Sequence, residues 1–372
     1  MANLEAKDRM SPVQLAIVIF MVVIAVPGTV LVPILKAAGH GAWLSVLTGA
    51  ALYYGAAWLM LKLGESFPGE SLAEYMPRLW GRWLGRAAVW LFVALFFLLA
   101  SELLYTTSRQ ITFFMFDRTP FEVVQASMLL VCAYCALQEW GTILRVVQFV
   151  FFTAFPMWQL LLSTSLLNFR FMNFLPLWPA DAAGVAAGTM DAWGLYGGYE
   201  AILLLLPLVY KGKTKPATAI AGAIGLAAAV FLLWEALTVG TLTLEGAKNV
   251  TFPLLSVVRP VEIPGTFLER LDTYYLLFWL QAVFTNVMLS LYMMAQALTA
   301  LYGYADHRPL VLALIPPLFL VIDASHFVTV YDILFKLSQW TGWLFSLGVV
   351  PASVALVWWR RRQSDDLAKR QA

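Results

Sequence analysis

Charged residues make up only 12% of the 372 residues, about half the share found in soluble globular chains. Hydrophobic residues make up 61%. Too little polar surface remains for a soluble monomer, and the two or three soluble domains that this length would otherwise suggest are excluded. Cysteine and histidine are nearly missing. Cys132 and Cys135 lie in the apolar run from Met128 to Leu137 with no charge or histidine beside them, which reads as helix packing rather than redox or metal chemistry. His40, His307 and His326 sit in separate loops, too few and too scattered for a metal centre. No phosphate loop of the GxxxxGK type occurs, and no connection between apolar runs is long enough to fold into an ATPase or kinase. Primary active transport by this chain alone is thereby excluded. No residue constellation marks an enzyme, and nothing requires a cofactor, a metal or a nucleic-acid partner.

Apolar runs are what the chain has in abundance. A helix needs about 20 apolar residues to cross a bilayer. Such runs place about ten transmembrane helices, near 12–35, 43–63, 84–106, 120–137, 142–167, 184–210, 216–243, 272–302, 309–324 and 334–359. The expected class is an all-α membrane protein forming one transmembrane domain over 1–372. The first run follows Lys7 and Arg9 but is too long for a signal sequence, so a retained first helix is expected. Take the N-terminus, alternate loops and the C-tail as one side. That side collects 16 of the 24 basic residues: Lys7, Arg9, Lys62, Arg78, Arg82, Arg86, Arg145, Lys211, Lys213, Lys215, Arg308, Arg360, Arg361, Arg362, Lys369 and Arg370. The positive-inside rule then expects both termini in the cytoplasm, with 360–372 a basic cytoplasmic tail. The two longer connections are expected to carry short interfacial helices, over Ser71–Pro77 and Phe252–Val258.

Two spans are interrupted. The first carries Val26-Pro27-Gly28-Thr29, and the sixth carries Gly194-Leu-Tyr-Gly197-Gly198-Tyr-Glu200. Proline removes a backbone donor and glycine loosens the helix beside it. Breaks in spans one and six are the expected positions if the chain is two five-helix repeats, about 12–167 and 184–359. Paired breaks in corresponding halves point to a transporter-type binding site, because unwound backbone at membrane depth is tolerated only where it lines a cavity or is buried in protein.

Ionisable and polar groups at membrane depth suggest function. Glu200 directly follows the second break. Glu102, Tyr105 and Arg109 share one face of span three, with an ion-pair clamp between Glu102 and Arg109 as the simpler reading. Gln281, Thr285, Tyr292 and Gln296 form a stripe along span eight with Asn286 and Ser290 beside it, by spacings that keep one helical face. Glu269-Arg270-Leu-Asp272 reads as an interfacial anchor, and Trp80, Trp83, Trp90, Trp340, Trp343, Trp358 and Trp359 mostly as an interfacial belt.

Several ordered segments resemble one family. They are Gly28-Thr-Val-Leu-Val-Pro33, Phe67-Pro68 with Ser71-Leu-Ala-Glu-Tyr75, Arg118-Thr-Pro120, Gly198-Tyr-Glu200 through Pro207, and Phe252-Pro253 leading to Phe267-Leu-Glu269-Arg270-Leu-Asp272. From Ser11 to about Arg362 the chain resembles the B subunit of GerA-type spore germinant receptors, a branch of the amino acid–polyamine–organocation transporter superfamily. The resemblance implies a five-plus-five inverted-repeat fold with broken helices one and six. It implies assembly with an A subunit and a lipoprotein C subunit in the inner membrane of the dormant spore, and recognition of a small germinant, often an amino acid. Gly28, Gly198, Glu200 and Thr285 fall on the family's unwound-helix and span-eight patterns.

The expected site lies between the two breaks. Gly28, Thr29, Gly197 and Gly198 supply freed backbone, Glu200 an acceptor for an ammonium, and Tyr196, Tyr199, Thr285 and Asn286 the walls. A germinant-sensing subunit is the leading expectation. A proton- or sodium-coupled amino-acid transporter working through Glu200 is the alternative.

Overall fold

The computed structural model describes residues 9–25, 28–116, 118–176, 178, 181–210, 212–261, 270–325 and 328–371. Pro27, Lys211, Glu269 and His326, which entered the sequence reading, lie outside them. Every regular element among the described residues is helical, and the one β-bridge pairs Met10 with Val209.

The chain begins with α1, Pro12–Ile24. A capping box closes its first turn: Ser11 Oγ accepts from the Gln14 amide and Gln14 returns an oxygen to the Ser11 amide. Ten of its residues are buried, so it is apolar nearly all round, as a helix inside a bundle must be. It stops at Ile24, passes through a 3₁₀ turn at Gly28–Val30 and resumes as α2, Leu31–Ala38. The sixth expected span is broken in the same way. Helix α8, Ala182–Asp191, gives way to 3₁₀ turns at Ala192–Tyr196 and Tyr199–Ala201 before the single turn α9, Ile202–Leu205.

Between them run α3 (Ala42–Glu65), α4 (Leu72–Trp80), α5 (Arg82–Phe114), α6 (Phe121–Ala136) and α7 (Trp140–Ser163). Beyond them come α10 (Pro216–Leu242), α11 (Leu244–Lys248), α12 (Pro253–Val258), α13 (Leu271–Tyr302), α14 (Arg308–Ala324) and α15 (Val328–Trp343). The last span was expected to be one helix. It contains a π-helical segment, Leu344–Val349, before α16 continues from Val350 to Gln371. Both expected short helices are present, as α4, closed by a Ser71–Glu74 capping box, and α12. Among the described residues, six helical stretches are long and apolar enough to cross a membrane: Leu31–Glu65, Arg82–Phe114, Trp140–Asn168, Pro216–Leu242, Leu271–Tyr302 and Asp332–Gln363. The other expected spans carry shorter apolar helices, among them Pro12–Ile24, Phe121–Ala136 and Tyr199–Leu208.

Helix α13 is the hub, packed against α5, α6, α7 and α14. The two ends of the bundle are distinct. At one end Met10 exchanges backbone bonds with the strand-like residues after α9 (Met10 N–H to Leu208 O at 2.9 Å, Tyr210 N–H to Met10 O at 3.0 Å). Arg360 of α16 donates to Leu79 O at 2.8 Å at the end of α4, where α5 begins. The 33 residues of α5 then span about 50 Å to Phe114 at the opposite end, which also holds α11 and α12.

The polar stripe of α13 divides. Tyr292 stacks on Trp140 at 5.5 Å, accepts from Gln296 Nε2 at 3.0 Å, and meets His307 edge-on at 5.1 Å. The His307 ring lies 3.2 Å from Ala136 O. This group locks the turn between α13 and α14 onto α6. Burial lowers the His307 pKa, with the Ala136 carbonyl opposing. The unfolded chain therefore binds the proton more readily. Stability from this site is full above the unfolded value of about 6.5 and falls as pH drops through it toward the folded value. His307→Gln should flatten that acid-side loss, visible as a smaller difference in melting temperature between pH 7.5 and pH 5.5 than in the parent protein.

Candidate ligand site

The two breaks lie side by side and antiparallel. A Cβ on Gly198 would run into Val22 of α1, and one on Gly194 would come within 2.9 Å of Val30 just past the first break. Gly198 has φ +100° and ψ −10°, a left-handed conformation that glycine adopts without strain. The chain turns there because nothing but hydrogen fits.

Two side chains hold the crossing together. Glu200 is fully buried. Its Oε2 accepts from the Gly198 amide at 2.9 Å, and its Oε1 accepts from Ser346 Oγ at 2.7 Å in the π segment. Asn286 of α13 donates its amide to the Val22 carbonyl, one of the last four carbonyls of α1 and therefore without an intrahelical partner. Asn286 Oδ1 accepts from Ser290 at 3.3 Å. Each broken helix is thus tied to an unbroken neighbour. Asn286→Leu should strand the Val22 carbonyl and destabilise the fold by about 1–3 kcal/mol, read by denaturation in detergent.

A small cavity of about 40 Å³ sits at this crossing, lined by Val22, Glu102, Gly194, Gly197, Glu200, Asn286, Phe335, Ser338 and neighbouring apolar residues. It has room for roughly three water molecules. Among the described residues two carboxyls face it and no lysine or arginine does. Glu102 accepts from Ser338 Oγ of α15 at 3.2 Å. The expected clamp between Glu102 and Arg109 is not formed. Seven residues carry Arg109 about 10 Å further along α5, where its guanidinium lies over the Tyr105 ring at 6.0 Å, while Glu102 turns inward. A pocket with two acids suits a positively charged, hydrogen-bonding group.

The nine residues expected at the site are spread over several environments. Gly197, Glu200 and Asn286 line the cavity, and Gly198 forms the turn beside it. Tyr196 and Tyr199 point the other way, toward α3: Tyr196 Oη donates to Val46 O at 3.2 Å, and both rings lie within 5 Å of Tyr53. Thr285 donates to Gln281 O within its own helix at 2.8 Å. Gly28 begins the 3₁₀ turn, and Thr29 lines a separate, wider recess of about 1180 Å³ at the Phe114 end of the bundle. Phe335 lines both spaces. Sequence reading missed Phe335, Ser338 and Ser346. The only signal was two serines eight residues apart on the last span.

A family profile described as spore germination protein matches residues 9–327. The chain belongs to the spore germination protein family. Relatives in Bacillus subtilis include spore germination protein YndE, 25% identical over 67% of this chain and 69% of that protein. Spore germination protein A2 is 22% identical over 74% and 76%. The fold is shared with MhsT, solved in complex with L-phenylalanine, at a TM-score of 0.64 and 13% identity over 92% of this chain and 87% of that one. The chain thus has a LeuT-like fold and belongs to a germinant receptor and permease family, not to an enzyme family.

Proposed function

We propose that this germination permease is the ligand-sensing subunit of a spore germinant receptor, and that its ligand is a small molecule with an ammonium group, most simply an amino acid. The observation that carries this reading is the crossing of the two breaks, where Glu102 and Glu200 face one cavity that no basic side chain among the described residues lines. An ammonium would replace water between the carboxyls and Asn286. The cavity is too small for an amino acid as it stands, so entry requires movement, and Phe335 is the side chain between cavity and recess. A ligand that fits only the opened form shifts the population toward it. That shift would be passed to A-type and C-type subunits in the inner spore membrane, with both termini of this chain cytoplasmic.

Purification from spore membranes of the source organism tests the reading. A tagged chain should bring down an A-type and a C-type subunit, and spores carrying Glu200→Gln, which keeps the hydrogen bonds of the break, should need more of that receptor's germinant to respond. A second reading, a proton- or sodium-coupled amino-acid transporter, is favoured by the two buried carboxyls themselves. It would prevail if the chain purified alone and moved an amino acid into vesicles.

A further inference from the structure

The recess beyond Phe335 has a charge of its own. Its described lining carries Lys36, Arg109, Lys248 and Arg259 against one acid, Asp332. Lys248 is engaged by Glu245 at 2.8 Å. Among the described residues no ion pair involves Lys36, Arg109 or Arg259. The two arginines are held instead on aromatic faces, Arg109 over Tyr105 at 6.0 Å and Arg259 over Phe114 at 5.5 Å. A guanidinium near a ring face keeps its planar fork of N–H donors, which matches a carboxylate bidentately. The recess is half open and its lining is predominantly basic, and a cleft with an excess of one sign of charge concentrates field lines and raises the local level of counter-ions by about 10–1,000-fold.

We propose that this recess is an anion-binding antechamber that collects small carboxylates before the inner cavity is reached. Its chemistry complements that of the cavity: basic groups outside Phe335, acidic groups inside. An α-amino acid meets both if its carboxylate rests near Arg109 and its ammonium points inward. Simple amines would lack the first contact. The selection of amino acids over amines rests on the ligand reading above, but the binding of carboxylates in the recess does not.

Thiol modification tests the recess directly. Thr112 lines it and is placed as cysteine in the full-length chain, in nanodiscs, with Cys132→Ala and Cys135→Ala removing the native thiols. Its reaction rates with anionic sulfonatoethyl and cationic trimethylammonioethyl methanethiosulfonate are compared, each divided by the rate with 2-mercaptoethanol. The anionic reagent should be favoured by roughly tenfold or more. The preference should shrink in 1 M salt, where screening reaches only about 3 Å, and on adding Arg109→Gln with Arg259→Gln. Citrate should slow modification by the neutral methyl reagent, while equimolar glycerol should not. Equal rates for the two charged reagents would overturn the proposal. So would an anion preference without protection by citrate, since that would be a field with no binding site. Unchanged melting temperatures in the glutamine variants separate loss of charge from loss of fold. None of these readouts depends on germinant response, so failure of the ligand reading leaves the result interpretable.

Discussion

Gly198→Val should produce a protein that is both less stable and deaf to ligand. Valine at φ +100° must hold a left-handed backbone, which costs about 1–2 kcal/mol for an ordinary residue and more for a branched one. Its side chain also enters the space of Val22, and overpacking of this kind costs about 1–3 kcal/mol. The combined loss of roughly 2–5 kcal/mol falls on the crossing of the two breaks. The two parts separate in a cycle with Val22→Ala, which relieves the collision and leaves the dihedral strain. Gly198→Ala already carries the Cβ that meets Val22, so it should show both parts, and only its combination with Val22→Ala should show mainly the dihedral part. Melting temperature in detergent reads the stability, and ligand-induced shifts read the site. A Gly198→Val protein that folds normally and responds with unchanged sensitivity would place the site elsewhere.

Glu200 should divide its two roles between two substitutions. Glutamine can turn its carbonyl to the Gly198 amide and its NH₂ to the Ser346 hydroxyl, so both partners at 2.9 Å and 2.7 Å stay satisfied. Stability should change by less than about 1 kcal/mol, a neutral hydrogen bond replacing one to a charged group. Binding of an ammonium should weaken by about 10- to 100-fold, the worth of a charge-assisted bond of about 1.5–3 kcal/mol. Alanine should be far worse for the fold, because it leaves the Gly198 N–H and the Ser346 O–H buried without partners, at about 1–3 kcal/mol each. If Glu200→Gln binds as tightly as the parent, the carboxyl is only a cap for the break, and Glu102 alone answers the ligand's charge.

Both breaks were legible because glycine and proline mark them, and the helices because their apolar runs are long. The interior of the site was less so. Thr285 stands beside Asn286 in the sequence, but a threonine in a helix readily bonds the carbonyl four residues back, and Thr285 does. Tyr196 and Tyr199 flank the glycines, yet they serve the packing of α3 around Tyr53. Spacing put Glu102 and Arg109 on one face without revealing that two turns of rise would carry one to the cavity and the other to the recess. The serines that hold the carboxyls were hidden for the same reason as Thr285. Ser101, Ser163 and Ser325 bond the carbonyl four residues back in their own helices, and nothing local distinguishes Ser338 and Ser346 from them. The π segment that aims Ser346 contains no proline.

The most direct measurement uses matched ligands on the purified chain: an amino acid, its amide, which keeps the ammonium, and its desamino acid, which lacks it. Across several side chains, melting temperature should rise with at least one amino acid, and with its amide at higher concentration, but not with the desamino acid. The rise should be weakened in Glu200→Gln. Stabilisation by the desamino acid equal to that by the amino acid, unaffected by Glu200→Gln, would contradict an ammonium seated between the two broken helices.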